Sequence, residues 1–600
     1  MGEADHVFEI SFEICNKVGG IYTVIKSKAA QMINEYDGKY MTIGYYDASK
    51  ARNDFDEQKP ENPQLLEVFT KLGKQGIKCY YGIWLIPGRP KTILIDAKER
   101  VSKINDLKKR LWDKYNIDSL KSDAWFNDPV IWAESVGMLI EELVKIKPWS
   151  DGKSVAHFHE WLAGAGLLYL KQKDAPVSTV FTTHATILGR TIAASGTDLY
   201  AMVDRGLEGD QKASASLAFE YGVQDKHGLE VASAKAADVF STVSEITGRE
   251  ATFILGRKPE VLLFNGLDLS KYPEMEEVSV IRRKYRHEMR KFLRAFFNRY
   301  YDLDFYNIRS MFISGRYEFH NKGIDVYIDA LGKLNETMKK EETKKHVIAF
   351  IFVPTGIRGE NIQVLKNVSL YEDMHDKIED ILPEIKDNIM KAMIVEGTMP
   401  KPNTLISDES QKTLRKILNH FQERKGQLPP LSAFELSYPE DQDNILNACK
   451  RNGLLNRAED RVKVIFYPAY LSSADRLIGM EYDQATLTCD IGVFPSFYEP
   501  WGYTPLECAA QATLSITTDL AGYGLFMKDK GDGVKVLEVD NRSYVDIVSD
   551  LYDMLHEVVS LEQKELTKRR MNARELAFMA DWSLLVKNYV KAHDMAVSNN

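Results

Sequence analysis

The sequence lacks most of the features that would set it apart from an ordinary soluble enzyme. Its five cysteines, at positions 15, 79, 449, 489 and 508, are odd in number and scattered, with no C-x-x-C spacing. This excludes a disulfide framework or a zinc ribbon and points to a reducing, cytoplasmic setting. No apolar run approaches the roughly 18 residues of a membrane span, and the stretch after Met1 has neither the basic nor the apolar region of a signal peptide. His6 stands where a myristoylation motif wants Ser or Thr. There is no excess of basic charge: the net charge of -9 argues against nucleic acid as a main partner. Internal repeats and low-complexity tracts are absent as well.

What is present is a long, well-mixed chain. A length of 600 residues exceeds what one hydrophobic core supports, about 250 to 300 residues, so at least two domains are expected. Strand-like apolar runs alternate with helical patterns in the first and last thirds, as in parallel sheets with crossover helices, an α/β fold. The punctuation suggests a first domain over 1–272, a basic helical connector over 273–307 and a second domain over 308–581. Within the second domain, 358–458 reads as a helical insertion suited to self-assembly, and 582–600 reads as a terminal helix packing back on the first domain.

Ligands in such sheets bind beyond the carboxyl ends of strands, so the loops there deserve weight. Lys17, Gly19 and Gly20 lie between a strand and a helix, where close backbone approach and a helix N-terminus suit a phosphate; alone, the pattern is commonly just a tight turn. Arg316 and Lys322 share a glycine-flanked loop after another strand, a pairing able to clamp a pyrophosphate. The run 495–508 offers Glu499 in a loop, a helix start at Trp501, Gly502, Tyr503 and Thr504, and Glu507 one turn inside the helix. Glu499 suits sugar hydroxyls or a developing positive charge, and Glu507 suits a ribose diol. His184 and Arg190 follow a strand end, where a histidine fits a sugar hydroxyl and an arginine a phosphate. His157 and His159 alternate as a strand does, but no cysteine or carboxylate cluster nearby in sequence completes a metal site. Arg282, Arg286, Arg290 and Arg294 form an i, i+4 stripe, joined in kind by Arg569, Arg570 and Arg574; either an anion or internal salt bridges would relieve the repulsion.

Together, Asn-Lys-Val-Gly-Gly-Ile-Tyr-Thr-Val (16–24), His-Phe-His-Glu-Trp-Leu-Ala-Gly (157–164), Phe-Thr-Thr-His-Ala-Thr (181–186), Gly-Arg-Tyr-Glu-Phe-His-Asn-Lys-Gly (315–323) and Phe-Pro-Ser-Phe-Tyr-Glu-Pro-Trp-Gly-Tyr-Thr-Pro (494–505) resemble the animal and fungal glycogen synthases. The resemblance implies a GT-B fold, two Rossmann-like domains facing across a cleft. It also implies retaining transfer of glucose from UDP-glucose to the non-reducing 4-hydroxyl of an α-1,4-glucan, with no metal or other cofactor. In its terms Arg316 and Lys322 hold the diphosphate, helped by Arg190 and the Gly19-Gly20 turn. Tyr482 stacks on uracil and Glu507 binds ribose. Asn265, His184 and the 501–504 amides orient glucose and phosphate, Glu499 lies near the reacting carbon, and Glu160 faces the acceptor. The expected partners are glycogen or a maltooligosaccharide, a glycogenin-like primer protein and further copies of the chain as a homotetramer. Use of another donor such as ADP-glucose, and a non-catalytic glycan-binding relic, stay open as alternatives.

The family's effector helix carries the pattern Arg-Asn-Arg-Thr-Glu-Arg. Aligned on Asp581-Trp582, this chain keeps Arg570 but has Asn572 and Glu575 where two of those arginines fall, and Asp490 near the place of a family histidine. Extended terminal phosphorylation tails are also not seen. Activation by glucose 6-phosphate is therefore expected to be weak or absent. Activity measured with and without that effector checks this, and a many-fold stimulation would refute it.

Overall fold

A computed structural model describes residues 3–209, 212–213, 215–401 and 404–599. The strands, in chain order, are β1 (His6–Ile10), β2 (Tyr40–Tyr45), β3 (Phe55–Glu57), β4 (Lys78–Trp84), β5 (Lys91–Asp96), β6 (Ser154–His159), β7 (Ser178–Thr183), β8 (Val239–Thr242), β9 (Val261–Leu262), β10 (Ile308–Ser314), β11 (His346–Phe352), β12 (Ile357–Glu360), β13 (Phe434–Leu436), β14 (Val462–Phe466), β15 (Ile491–Val493), β16 (Leu514–Thr518) and β17 (Val534–Leu537). They build a nine-stranded sheet ordered β3-β4-β5-β2-β1-β6-β7-β8-β9 and a six-stranded sheet ordered β14-β11-β10-β15-β16-β17. Within these two sheets pairing is parallel except at the β3-β4-β5 edge, and β12 and β13 form a separate two-stranded sheet. The central strands β1, β6 and β7 are buried along their whole length, as expected when helices cover both faces. This is the GT-B arrangement of two α/β sheets.

The stretch 358–458 is more mixed than its helical periodicity suggests. Two helices, Ile362–Lys391 and Asp408–Gln422, pack on each other and expose Ile394, Val395 and Met399 near their turn. At their base β12 and β13 pair antiparallel, and the helix Asn444–Arg451 packs on the helix Ile324–Lys340 as part of the layer over the second sheet. Alternation of strand and helix thus returns before residue 458, in a small two-stranded sheet and the helix Asn444–Arg451.

The chain crosses between the sheets twice, and the crossings touch: Leu267 bridges Asp581 in parallel. After the second crossing the helix Trp582–Asn599 lies against β6, β7, β8 and the helix Gly20–Tyr36. Trp582, 1% exposed, donates its indole N–H to Ser27 Oγ at 2.7 Å, and a Cβ at Gly266 would stand 2.7 Å from its ring. The ring thus fills the corner where the strap re-enters the first domain. Trp582→Ala is expected to lower stability by about 3–5 kcal/mol, the usual cost of emptying an aromatic site; an unchanged urea midpoint would show that the strap is not integral to the core.

Candidate active site

The parallel part of each sheet has one point where its strand order reverses. In the first sheet this lies between β1 and β6, and in the second between β10 and β15. Ligands of open parallel sheets bind in the crevice at such points. Lys17, Gly19 and Gly20 follow β1, Glu160 follows β6, Arg316 and Lys322 follow β10, and Glu499 follows β15. Topology alone therefore brings residues far apart in sequence to the two crevice lips.

On the second domain, Arg316, Lys322, Glu499 and Thr504 line one cavity of about 190 Å³. Lys322 Nζ donates to Glu499 Oε2 at 2.6 Å, while the exposed Arg316 pairs with Glu318 at 2.9 Å. Gly323 makes this possible. Its φ is +64°, and an added Cβ would stand 2.0 Å from the Pro495 carbonyl oxygen. The two loops can close on each other only because that position has no side chain and tolerates the left-handed conformation. The Glu499 main chain is fixed from the other side, its carbonyl accepting the Gly522 N–H at 3.0 Å. Thr504 belongs to the first turn of the helix Tyr503–Ala510.

The first domain differs from the expectation at its phosphate-like turn. Glu13, which sequence reasoning passed over, accepts the Gly19 and Tyr22 N–H groups at 2.8 and 3.0 Å. A side chain at Gly19 would meet the Glu13 carboxylate at 2.9 Å, so this glycine makes room for an internal anion rather than an external one. Gly20 has open space around its Cα. Lys17 lines a separate cavity of about 600 Å³ between the domains, with Glu507 on its opposite side.

Glu160 is tied to the main chain of the His184 loop. It has a φ of +66°, uncommon outside glycine and a recurrent mark of constrained sites, and its Oε1 accepts from the His184 and Ala185 N–H groups at 2.9 and 3.3 Å. One carboxylate oxygen is turned onto the His184 loop, because buried amides need acceptors there. Two further carboxylates serve the same loop: Glu250 accepts from the Thr186 N–H at 3.0 Å and Glu230 from the Ile187 N–H at 3.0 Å. Burial raises all three carboxyls, Glu160 and Glu250 to about 7, and the Arg190 charge opposes the rise in each. Arg190 is solvent-accessible while crowded by these acids, the condition of a group on a cleft wall. Its electrostatic partners include the carboxylates of its own domain, Glu160, Glu230 and Glu250. From across the cleft Tyr498 approaches Glu250 at 3.5 Å, and Arg249 bonds Asp540 at 3.3 Å.

The remaining expected residues scatter more. Tyr482 shares a 2.8 Å hydrogen bond with Ser314 Oγ at the mouth of the Arg316 loop. Burial and nearby Asp483 push Glu507 up to about 7. Asn265 is buried with its Oδ1 unpartnered among the described residues. The Trp501 ring is not turned to the cavity; it packs among Phe264, Tyr523 and Phe526. The Tyr503 hydroxyl is buried without a partner among the described residues.

Most basic residues of the arginine stripe have internal partners. Arg282 donates to the Leu487, Gln511 and Ala512 carbonyls, Arg574 to Ala510 and Arg569 to Glu557 and Glu565. Arg286 and Arg570 both clamp buried Asp490, whose carboxyl burial would raise but these two charges hold below the usual range. Arg290 stacks over the Tyr306 ring at 5.2 Å. Internal pairing therefore relieves the repulsion at these positions. Glu9, His157 and His159 present ligand atoms within 4.8 Å of one another, a grouping the sequence reading missed because Glu9 is distant in the chain; the Lys28 ammonium already bonds Glu9 there.

The glycogen synthase family profile matches residues 9–600. A glycogen [starch] synthase of Dictyostelium discoideum is 36% identical over 598 residues, covering 98% of this chain and 66% of that relative. One of Neurospora crassa is 33% identical over 599 residues, covering 98% of this chain and 83% of the relative. The catalytic domain of starch synthase IV from Arabidopsis thaliana superposes with a TM-score of 0.50 at 11% identity, covering 99% of this chain and 100% of that one, a likeness of fold alone. With the family's profile running through both sheets, both crevice lips and the terminal strap, the chain belongs to the glycogen synthase family.

Proposed function

We propose that the protein transfers glucose from UDP-glucose to the non-reducing 4-hydroxyl end of an α-1,4-glucan, retaining the α configuration. The observation that carries this is the Lys322–Glu499 pair of 2.6 Å, in one cavity with Arg316 and the start of the helix Tyr503–Ala510. In the reaction the bond from the anomeric carbon to the diphosphate oxygen breaks, and the diphosphate departs with the electron pair. Arg316, Lys322 and the helix N-terminus supply the positive charge that stabilises it. Glu499 supports the positive charge growing on the sugar. The acceptor hydroxyl forms the new bond and yields its proton to the departing diphosphate. Lys322, held on Glu499 in the free protein, is then shared with the leaving group. The nucleotide occupies the larger cavity, with its ribose toward Glu507 and Lys17 on the opposite wall. The exposed apolar turn of the paired helices, with Ile394, Val395 and Met399, serves self-association.

Labelled glucose is expected to enter glycogen from UDP-glucose much faster than from ADP-glucose; the reverse order would replace the donor in this proposal. Arg316→Ala and Glu499→Ala are each expected to lower kcat by about 10²-fold or more, as loss of preorganised electrostatic groups commonly does. Wild-type rates in both variants would remove the catalytic assignment.

A further inference from the structure

Behind His184 lies a buried chain of hydrogen bonds whose donors and acceptors can be assigned one after another. Its anchor is Glu9 on β1, 1% exposed. Lys28 Nζ, fully buried, donates to Glu9 Oε1, and the Tyr40 hydroxyl donates to Oε2. Burial pushes the Glu9 carboxyl up, yet the Lys28 charge and the His159 contact outweigh it and hold it ionised. An ionised carboxylate only accepts. His159 Nε2, 2.8 Å from Glu9 Oε1, must therefore carry a proton. His159 Nδ1 lies 3.0 Å from His184 Nε2. A second proton on His159 would add a cation to a site where Glu9 and Lys28 already balance, and burial holds His159 below its ordinary value. His159 Nδ1 is thus an acceptor, and the proton between the rings belongs to His184 Nε2.

His184 is itself buried, 8% exposed, and burial holds it neutral. With Nε2 protonated, its Nδ1 is left as a bare lone pair, with no hydrogen-bond partner among the described residues. The backbone that carries this ring is fixed independently by Glu160, which accepts the His184 N–H. We propose that Glu9 and His159 are positioning residues that lock His184 in the Nε2-protonated tautomer, so that Nδ1 accepts a hydrogen bond from a hydroxyl of the transferred sugar. The opposite tautomer would present an N–H to that hydroxyl and set two lone pairs against each other between the rings, leaving a buried acceptor unsatisfied. The sugar part of this inference rests on the function proposed above; the tautomer part does not.

The test uses the full-length protein labelled with ¹⁵N-histidine, read by long-range ¹H–¹⁵N correlation, with the His184 signals identified by their loss in His184→Gln. The expected result is a neutral His184 protonated on Nε2 in the wild type. In His159→Phe the tautomer is expected to become mixed or to move to Nδ1, with kcat/KM for the sugar donor falling about tenfold or more, the scale of one buried hydrogen bond. His159→Gln, whose amide offers one donor and one acceptor, should recover much of that loss, which a purely structural role would not predict. A wild-type His184 that is cationic or protonated on Nδ1 overturns the proposal even if His159→Phe does not fold. So does a folded His159→Phe that keeps both tautomer and kcat/KM. A wild type that transfers no sugar from any donor would defeat the proposed function instead, and leaves the tautomer measurement readable.

Discussion

The carboxylate of Glu9 is the constraint around which the first domain is organised. It sits mid-strand on β1, beside the reversal in strand order, and is bonded by Lys28 from the following helix, Tyr40 from β2 and His159 from β6. Three neighbouring elements are pinned to one buried anion. Desolvating such a pair contributes little net stability, but breaking it leaves an uncompensated buried charge, a cost of about 3–5 kcal/mol. The arrangement therefore secures geometry more than it secures the fold's free energy. Through His159 that geometry extends to His184, and through stacked His157 to His593 of the terminal helix, where the ring nitrogens stand 3.0 Å apart.

A second theme is that the molecule supplies many of its own counter-ions. Glu13 holds the amides after β1, while Glu160, Glu230 and Glu250 hold those after β7. Asp490 holds Arg286 and Arg570, and Glu499 holds Lys322. Loops that would otherwise rearrange when an anion arrives are already in place, which is the physical content of electrostatic preorganisation. The exposed cation of the Arg316 loop and the shared Lys322 are the groups left adjustable.

The parts legible in the sequence are those governed by local rules. The strand-to-helix loops at 16–21, 314–323 and 495–508 announce themselves through glycine, proline and the change of periodicity, and topology then assembles them. What escaped reading is the set of buried acids. Glu230 and Glu250 lie in helices where a glutamate ordinarily marks a solvated face, and only the fold turns them onto the 183–187 loop. Glu9 did leave a signal, a carboxylate inside the apolar run Val7-Phe8-Glu9-Ile10, but its partners lie up to 150 residues away. The helical text of 358–458 hid two short strands because elements of three or four residues are too short to show a periodicity.

The terminal strap has a consequence for biosynthesis. The helix Trp582–Asn599 covers β6, β7 and β8, and its His593 is the partner of both His157 and Tyr36. A nascent chain completes the last strand of the first sheet at Leu262 but lacks this cover until residues 582–599 emerge, on the order of half a minute later at ordinary translation rates. During that interval the flank of the first sheet is raw, polar histidines and apolar valines together, so the first domain is begun before the second and completed only after it.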